Sequence, residues 1–226
     1  MNILVIGNGG REHALCWAIS KSPKSNKIYC IPGNGGITEI AICIEKDPNN
    51  KNEILSFCKK YNIDLVIIGP EKFLAQGLSD YLRDRKINVF GPSKNAARIE
   101  TSKIFSKDFL KRNKLPTAEY KCFNEINSAK EFIKNYNPPY VIKVDGLASG
   151  KGVLICKNKN EANTALKDIF LKKKFGAAGK KILIEEHLSG FEVSFFSFVD
   201  KNKILIFDYA LDHKRAFDND NGPNTG

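Results

Sequence analysis

The 226-residue chain has six cysteines but no CxxC pair, and positions 16, 30, 43, 58, 122 and 156 are widely and unevenly spaced. That spacing supports neither a disulfide framework nor a zinc site, so these residues are expected to be small buried hydrophobes. No apolar run approaches the roughly 20 residues of a membrane span. The apolar opening Ile3-Leu4-Val5-Ile6 is stopped by Gly7 after one strand length, too short for a signal peptide. A cytoplasmic protein without membrane contact is expected. Arginine is scarce too, supplying six of the 36 basic residues. The formal charge is +11. However, the lysines are scattered among Asn and Glu, with no basic block interleaved with aromatics and no nucleic-acid motif. A solvated, lysine-rich surface accounts for the charge, and no nucleic-acid partner is expected. A P-loop is missing as well. That motif wants four residues between its glycines and Ser or Thr after its Lys. Here three residues separate Gly146 from Gly150, and Gly152 follows Lys151.

What is present around those glycines suits a phosphate site of another kind, with an ordinary Gly-rich hairpin loop as the plainer alternative. An apolar strand, Tyr140–Val144, runs into Asp145-Gly146-Leu147-Ala148-Ser149-Gly150-Lys151-Gly152, and a second, Val153–Cys156, runs out. Glycines at 146, 150 and 152 let the backbone bring bare N–H groups close to a ligand. An N–H concavity beside an ammonium suits a polyphosphate. Lys143 interrupts the first strand, where a charge is costly to bury unless something anionic meets it.

The length favours two domains. In the first, apolar strand 2–6 turns through Gly7-Asn8-Gly9-Gly10 into a helix from Arg11 to about Ser20, whose N-terminus is a natural anion site. This begins as a GxGxxG fingerprint, but Glu12 stands at the third glycine, and no acidic ribose ligand ends the second strand, so a dinucleotide site is disfavoured. A carboxylate here would repel pyrophosphate and attract a substrate carrying an amine. Further strands are expected at 28–31, 64–68 and 88–90, with helices at 53–61 and 75–85, giving a doubly wound parallel sheet. Its ligands would sit beyond the strand ends, where Gly9, Gly10, Arg11, Glu12 and Glu71 lie. His13, one turn into an amphipathic helix, reads as structural.

A boundary falls near 92–102, followed by one long helix over 96–113 that contains Lys103. Ser128 and Glu131 form a capping-box pattern for the next helix. Helix 161–170 and the second glycine-rich turn, Phe175–Gly179, precede strand 181–184. That strand ends in Glu185 and Glu186 and a short linker through Leu188, which suits a nucleotide hinge. The linker backbone can read adenine, and Glu192 can accept from ribose hydroxyls. A hairpin, 191–199 with 203–209, turns at 200–202, and the chain ends on Asp212-His213-Lys214-Arg215 and Gly222-Pro223-Asn224-Thr225-Gly226.

Taken in order, LVIGNGGREHAL at 4–15, PGNGG at 32–36, GPE at 69–71 and the SK…F…KDFL segment from 102 all match one pattern. VIKVDGLASGKGV at 141–153, IEEHLSGFEVS at 184–194, DHKR at 212–215 and GPNTG at 222–226 continue it. The chain resembles the glycinamide ribonucleotide synthetases (phosphoribosylamine–glycine ligases), ATP-grasp enzymes of purine biosynthesis, over its whole length. The resemblance implies an α/β fold: a Rossmann-like, doubly wound N-terminal domain over 1–101, then an incomplete ATP-grasp domain over 102–226 with an α+β lid at about 121–184. It implies ligation of glycine to 5-phosphoribosylamine through glycyl phosphate, with ATP as co-substrate. Mg²⁺ or Mn²⁺ would be held by ligands beyond residue 226, none in this chain, and the protein would be monomeric.

By the same resemblance, Lys103 and Lys143 contact the ATP phosphates, and Gly146, Ser149, Gly150, Lys151 and Gly152 close over them. Glu185, Glu186 and Leu188 frame adenine, and Glu192 the ribose. Gly9, Gly10, Arg11, Glu12 and Glu71 meet the sugar phosphate. Asp212, Lys214 and Arg215 face glycine and the transferring phosphate, with Asn224 and Thr225 nearby. Lys143, Asp212, Lys214 and Arg215 are the catalytic candidates. Two other readings stay open: another ATP-grasp carboxylate–amine ligase, and a nucleotide-binding fragment without turnover.

Overall fold

The computed structural model describes residues 1–148, 150–200, 202–213, 215–218 and 221–224, with the backbone alone at 215, 221, 223 and 224. Strand β1 (Asn2–Gly7) leads through Gly9 into helix α1 (Gly10–Ser20), then β2 (Lys27–Pro32) and the two-residue β3 (Ile42–Cys43). Helix α2 (Lys51–Lys60) starts at Asn50, whose side chain accepts the Glu53 N–H, a standard N-cap. Then come β4 (Leu65–Ile68), α3 (Glu71–Ala75), α4 (Leu78–Arg83) and β5 (Val89–Phe90). The five strands form one parallel sheet in the order β3-β2-β1-β4-β5. Buried on both faces, its strands read as continuous Val/Ile/Leu runs rather than as alternation. Leu4, Ile6, Ile31, Ile54, Leu78 and Leu82 are its core.

The sequence predicts one helix over 75–85; the structure has two. Gly77 sits at φ +77°, a left-handed backbone that breaks the helix and that glycine tolerates. The long helix expected over 96–113 is divided as well, into α5 (Arg98–Thr101) and α6 (Lys103–Arg112). Ser102 between them is extended, and its Oγ accepts the Phe105 N–H while donating to Asp145 Oδ1 at 2.9 Å. The same Asp145 oxygen accepts the Ile104 N–H at 3.1 Å. A carboxylate from the entry of the glycine loop therefore caps α6.

Strand β6 (Tyr120–Phe123) leads to α7 (Ile126–Asn135), β7 (Tyr140–Val144), β8 (Val153–Cys156), α8 (Lys159–Phe170) and β9 (Ile182–Glu186). The four strands make an antiparallel sheet ordered β6-β9-β7-β8. Tyr140, Ile142, Ile133, Leu166, Ile169 and Ile182 pack between this sheet and α7 and α8. The capping box expected at Ser128 is not formed. Helix α7 begins two residues earlier, Ser128 Oγ donates to Glu125 O, and Glu131 pairs with Lys134. On α8 the N-cap is made, with Asn158 accepting the Glu161 N–H and Glu161 accepting the N–H of the preceding Lys157.

The hairpin of β10 (Val193–Asp200) and β11 (Lys203–Leu211) follows, then the short pair β12 (Arg215–Phe217) and β13 (Asn221–Asn224). Phe198 of the hairpin meets Phe90 edge-on at 5.3 Å, tying it to the end of β5. Its apolar residues are otherwise open on both faces; Phe195 is 64% and Ile206 63% exposed. No helix among the described residues is long and apolar enough to cross a membrane.

The Asp145 cap generates a prediction. Asp145→Ala removes two acceptor contacts from the start of α6, and the loss of such a cap is worth on the order of 1 kcal/mol. Chemical denaturation is expected to show a lower midpoint at unchanged slope. An unchanged midpoint would mean that water serves the helix end equally well.

Candidate functional site

Two groups of expected site residues occupy separate places. The first lies at the C-terminal ends of β1 and β4, neighbouring strands in the parallel sheet and the place where open α/β sheets bind ligands. Glu12, on the first turn of α1, is only 4% exposed. Its Oε2 accepts the Gly9 N–H at 2.7 Å. A Cβ at Gly69 would lie 1.9 Å from Glu12 Oε1, and one at Gly7 2.5 Å from its Cγ. The glycines flank this carboxylate because no side chain would fit. Glu12 thus fastens the turn at 7–10 against the turn after β4. Arg11 spans the same gap, donating to Gly69 O at 3.0 Å and to Glu71 Oε1 at 2.8 Å.

The Arg11 guanidinium is raised above its ordinary value by its hydrogen bond to Glu71. For Glu71, partial burial pushes the carboxyl up. Hydrogen bonds from its own backbone and from Arg11, with the guanidinium charge, outweigh that and hold it below the usual range. The PGNGG turn closes the other side: Asn34 donates to Asn8 O at 2.8 Å, and Gly36 leaves room for His13, whose Cε1 would lie 2.7 Å from a Cβ there. His13 packs against this turn.

The second group surrounds an open cleft of about 2040 Å³ between the antiparallel sheet and the segment 186–218. Lys143, Gly150, Glu185, Glu186, Leu188, Glu192 and Asp212 all line it. Lys143 faces the cleft partly exposed, its Nζ 2.8 Å from Glu185 Oε2. Glu185 is 4% exposed. Its other oxygen, Oε1, is buried with no hydrogen-bond partner among the described residues. Glu186 accepts the Glu119 N–H at 2.9 Å, pinning the linker to the start of β6.

The glycine loop lies between β7 and β8. Gly146 takes φ +145° and Gly150 φ +76°, values that glycine favours. Lys103, first residue of α6, donates to Gly146 O at 3.4 Å, so a second ammonium stands at the loop. Gly152 O accepts the Val144 N–H, and Lys151 is exposed. Ser149, Lys214 and Thr225 lie outside the described residues. Arg215 and Asn224 are paired backbone positions across β12 and β13.

Sequence reasoning passed over two residues here. Asp145 stood inside the loop motif, but its capping of α6 depends on a contact 43 residues away in sequence. Lys107 lies one helical turn after Lys103, and that i, i+4 spacing was the available signal. Its Nζ lies 3.4 Å from Glu185 Oε2. Among the thiols, Cys16, Cys30, Cys58 and Cys156 are buried as expected, whereas Cys43 is half-buried and Cys122 on the edge strand β6 is exposed. Burial pushes Cys58 up to about 12 and Cys156 up to about 11, as expected of inert packing residues.

Comparison with known proteins adds to this geometry. The family models described as phosphoribosylglycinamide synthetase, N domain, and phosphoribosylglycinamide synthetase, ATP-grasp (A) domain, match residues 1–100 and 101–226. A phosphoribosylamine–glycine ligase of Mesorhizobium japonicum is 48% identical over 226 residues, covering 100% of this chain and 53% of that protein. The crystal structure of phosphoribosylamine–glycine ligase from Thermotoga maritima superposes with a TM-score of 0.82 at 32% identity, covering 100% of this chain and 54% of that one. The biotin carboxylase domain of Hydrogenobacter thermophilus 2-oxoglutarate carboxylase shares the fold, with a TM-score of 0.71 at 18% identity over 96% of this chain and 51% of that one. The chain spans about half the length of the curated relatives it matches.

The Arg11–Glu71 pair yields a pH prediction. Glu71 is lowered in the folded state, so its contribution to stability is present above the ordinary carboxylate range and disappears as pH falls through the folded value. Both side chains are substantially exposed, which keeps the contribution small. Glu71→Gln is expected to melt slightly below wild type at neutral pH, with the two curves converging in acid. A gap that persists in acid would assign the loss to packing instead.

Proposed function

The chain belongs to the phosphoribosylglycinamide synthetase family, and from that premise we propose that it takes part in the ATP-dependent ligation of glycine to 5-phosphoribosylamine. The observation that carries this reading is the partly exposed Lys143 ammonium in the cleft wall, beside a glycine loop and in contact with a buried carboxylate. In this reading the glycine carboxylate oxygen attacks the γ-phosphorus of ATP, the bond to the bridging oxygen breaks, and ADP leaves. The amine nitrogen of phosphoribosylamine then attacks the acyl carbon of glycyl phosphate. Inorganic phosphate leaves, the nitrogen loses a proton, and the amide of glycinamide ribonucleotide remains.

Such a sequence asks for positioning and charge neutralisation rather than a protein nucleophile. Lys143 and Lys103 supply positive charge to the phosphates, with Gly146, Ser149, Gly150, Lys151 and Gly152 covering them. The segment around 121–184 acts as the lid, excluding water from an acyl phosphate that would otherwise hydrolyse. The linker of Glu185, Glu186 and Leu188 holds adenine, whose amine suits the unpartnered Glu185 Oε1, and Glu192 takes the ribose. At the first group, the amides of Gly9 and Gly10 and the Arg11 guanidinium receive the sugar phosphate, with Glu12 and Glu71 beside them. Asp212, Lys214, Arg215, Asn224 and Thr225 are assigned to glycine and the moving phosphate. Among the described residues no group of three or more His, Cys, Asp or Glu could hold a metal ion. The roles above are those of the chain's own groups. The protein works as a monomer in the cytoplasm.

Phosphate release from ATP that depends on both glycine and phosphoribosylamine tests the reaction. Binding of ATP without that release would reduce the reading to a nucleotide-binding part. Lys143→Ala is expected to weaken ATP binding by about tenfold or more, as truncating one partner of a charge pair does. Calorimetric titration showing unchanged affinity, with the fold intact by circular dichroism, would remove Lys143 from the phosphate site.

A further inference from the structure

Glu185 has more positive charge around it than an ion pair requires. Lys143 on β7 and Lys107 on α6 both approach the same oxygen, Oε2, at 2.8 and 3.4 Å. The two lysines differ in everything else. Lys107 is 9% exposed. Besides Glu185, its ammonium donates to Thr117 Oγ1 at 2.8 Å and to Ala118 O at 3.2 Å, and it lies 5.6 Å from the centre of the Tyr120 ring. An ammonium has three donors, and here three acceptors surround it. Lys107 is fixed. The cleft wall includes Lys143 and Glu185 but not Lys107. Lys143 has a 26% exposed side chain, and Glu185 is its one ion-pair partner among the described residues.

We infer that Lys107 is a positioning residue of this site: it neutralises Glu185 permanently, so that the Lys143 ammonium can leave that carboxylate for an anionic ligand without stranding a buried charge. The inference rests on the nucleotide reading of the cleft. An ammonium held only by a buried carboxylate is a poor phosphate ligand. Moving it would leave the carboxylate unpaired in a low dielectric, the situation that makes breaking a buried pair so destabilising. A second, immobile cation removes that penalty. Helix α6 then supplies the site with two lysines one turn apart, Lys103 at the glycine loop and Lys107 behind the carboxylate.

The test is a double-mutant cycle with ADP as the probe, read by titration calorimetry on the full chain. Lys107→Met is expected to weaken ADP binding by about tenfold or more, because Lys143 becomes the sole counter-ion of Glu185. Lys107→Arg keeps the charge and should bind nearly as wild type. In a Glu185→Gln background no charge needs holding, so adding Lys107→Met should change affinity by about twofold at most. If Lys107→Met does not fold, Lys107→Gln carries the same comparison. Equal losses in both backgrounds would show that Lys107 serves packing alone and overturn the inference. A second readout needs no nucleotide: the rate at which acetic anhydride acylates Lys143, followed by mass spectrometry. It should fall several-fold in Lys107→Met and recover in Lys107→Arg, and an unchanged rate would also overturn the inference. A wild-type chain that fails to bind ADP would refute the nucleotide reading, while the acylation rates would still decide the role of Lys107.

Discussion

A carboxylate that is almost wholly out of water stays charged only where cations neutralise it. Glu185 meets that requirement with lysines from two different elements, β7 and α6. The consequence reaches well beyond one ion pair. Lys107 ties α6 to β9, and through Thr117 and Ala118 it also fixes the chain as it enters β6. Asp145 ties the other end of α6 to the glycine loop. One short helix therefore holds together the carboxylate, the loop and its own two lysines, Lys103 and Lys107. A polyphosphate, the ligand proposed for this cleft, needs this kind of arrangement, with positive charge that is fixed beforehand and a backbone that can approach closely.

The N-terminal group also has a buried carboxylate at its centre. Glu12 fills the space that Gly7 and Gly69 leave open and takes the Gly9 amide. One side chain thus packs between two strand ends, and Arg11 with Glu71 makes a more exposed bridge across the same gap. A dinucleotide fold would put glycine at position 12 to bring helix and strand together. Here the carboxylate occupies that place and stiffens the turn. The exposed Arg11 guanidinium stands at the rim, paired with Glu71.

Much of this was legible in the sequence. Continuous apolar runs such as Leu4–Ile6 and Leu65–Ile68 announced buried parallel strands, and apolar strands were legible on either side of the glycine loop. The misreadings have local causes. Apolar spacing over 96–113 said one helix, because periodicity cannot see that Ser102 would turn its hydroxyl to a carboxylate in a loop 43 residues on. Gly77 broke another helix through a left-handed backbone, which a periodic pattern also passes over. Ser128 and Glu131 carried the letters of a capping box, but Ser128 sat inside the first turn instead of ahead of it. Lys107 escaped notice because a lysine among phenylalanines on a helix is usually solvated. Its burial depends on Glu185, far away in the chain. The hairpin expected over 191–199 with 203–209 is formed by β10 and β11. Its exposure on both faces in this chain is not something a residue pattern reports.

The central claim is that the cleft lined by Lys143 and Glu185 receives a nucleotide, whose phosphates the loop at 146–152 then covers. Hydrogen exchange of the amides in that loop, followed with and without a non-hydrolysable ATP analogue, tests it most directly. The account predicts that protection of 146–152 rises on binding, together with that of the linker after Ile184, while the parallel sheet at 2–7 and 65–68 is unchanged. Equal protection of 146–152 in both states, at analogue concentrations that saturate the protein, would show the loop to be a rigid hairpin and would contradict the account.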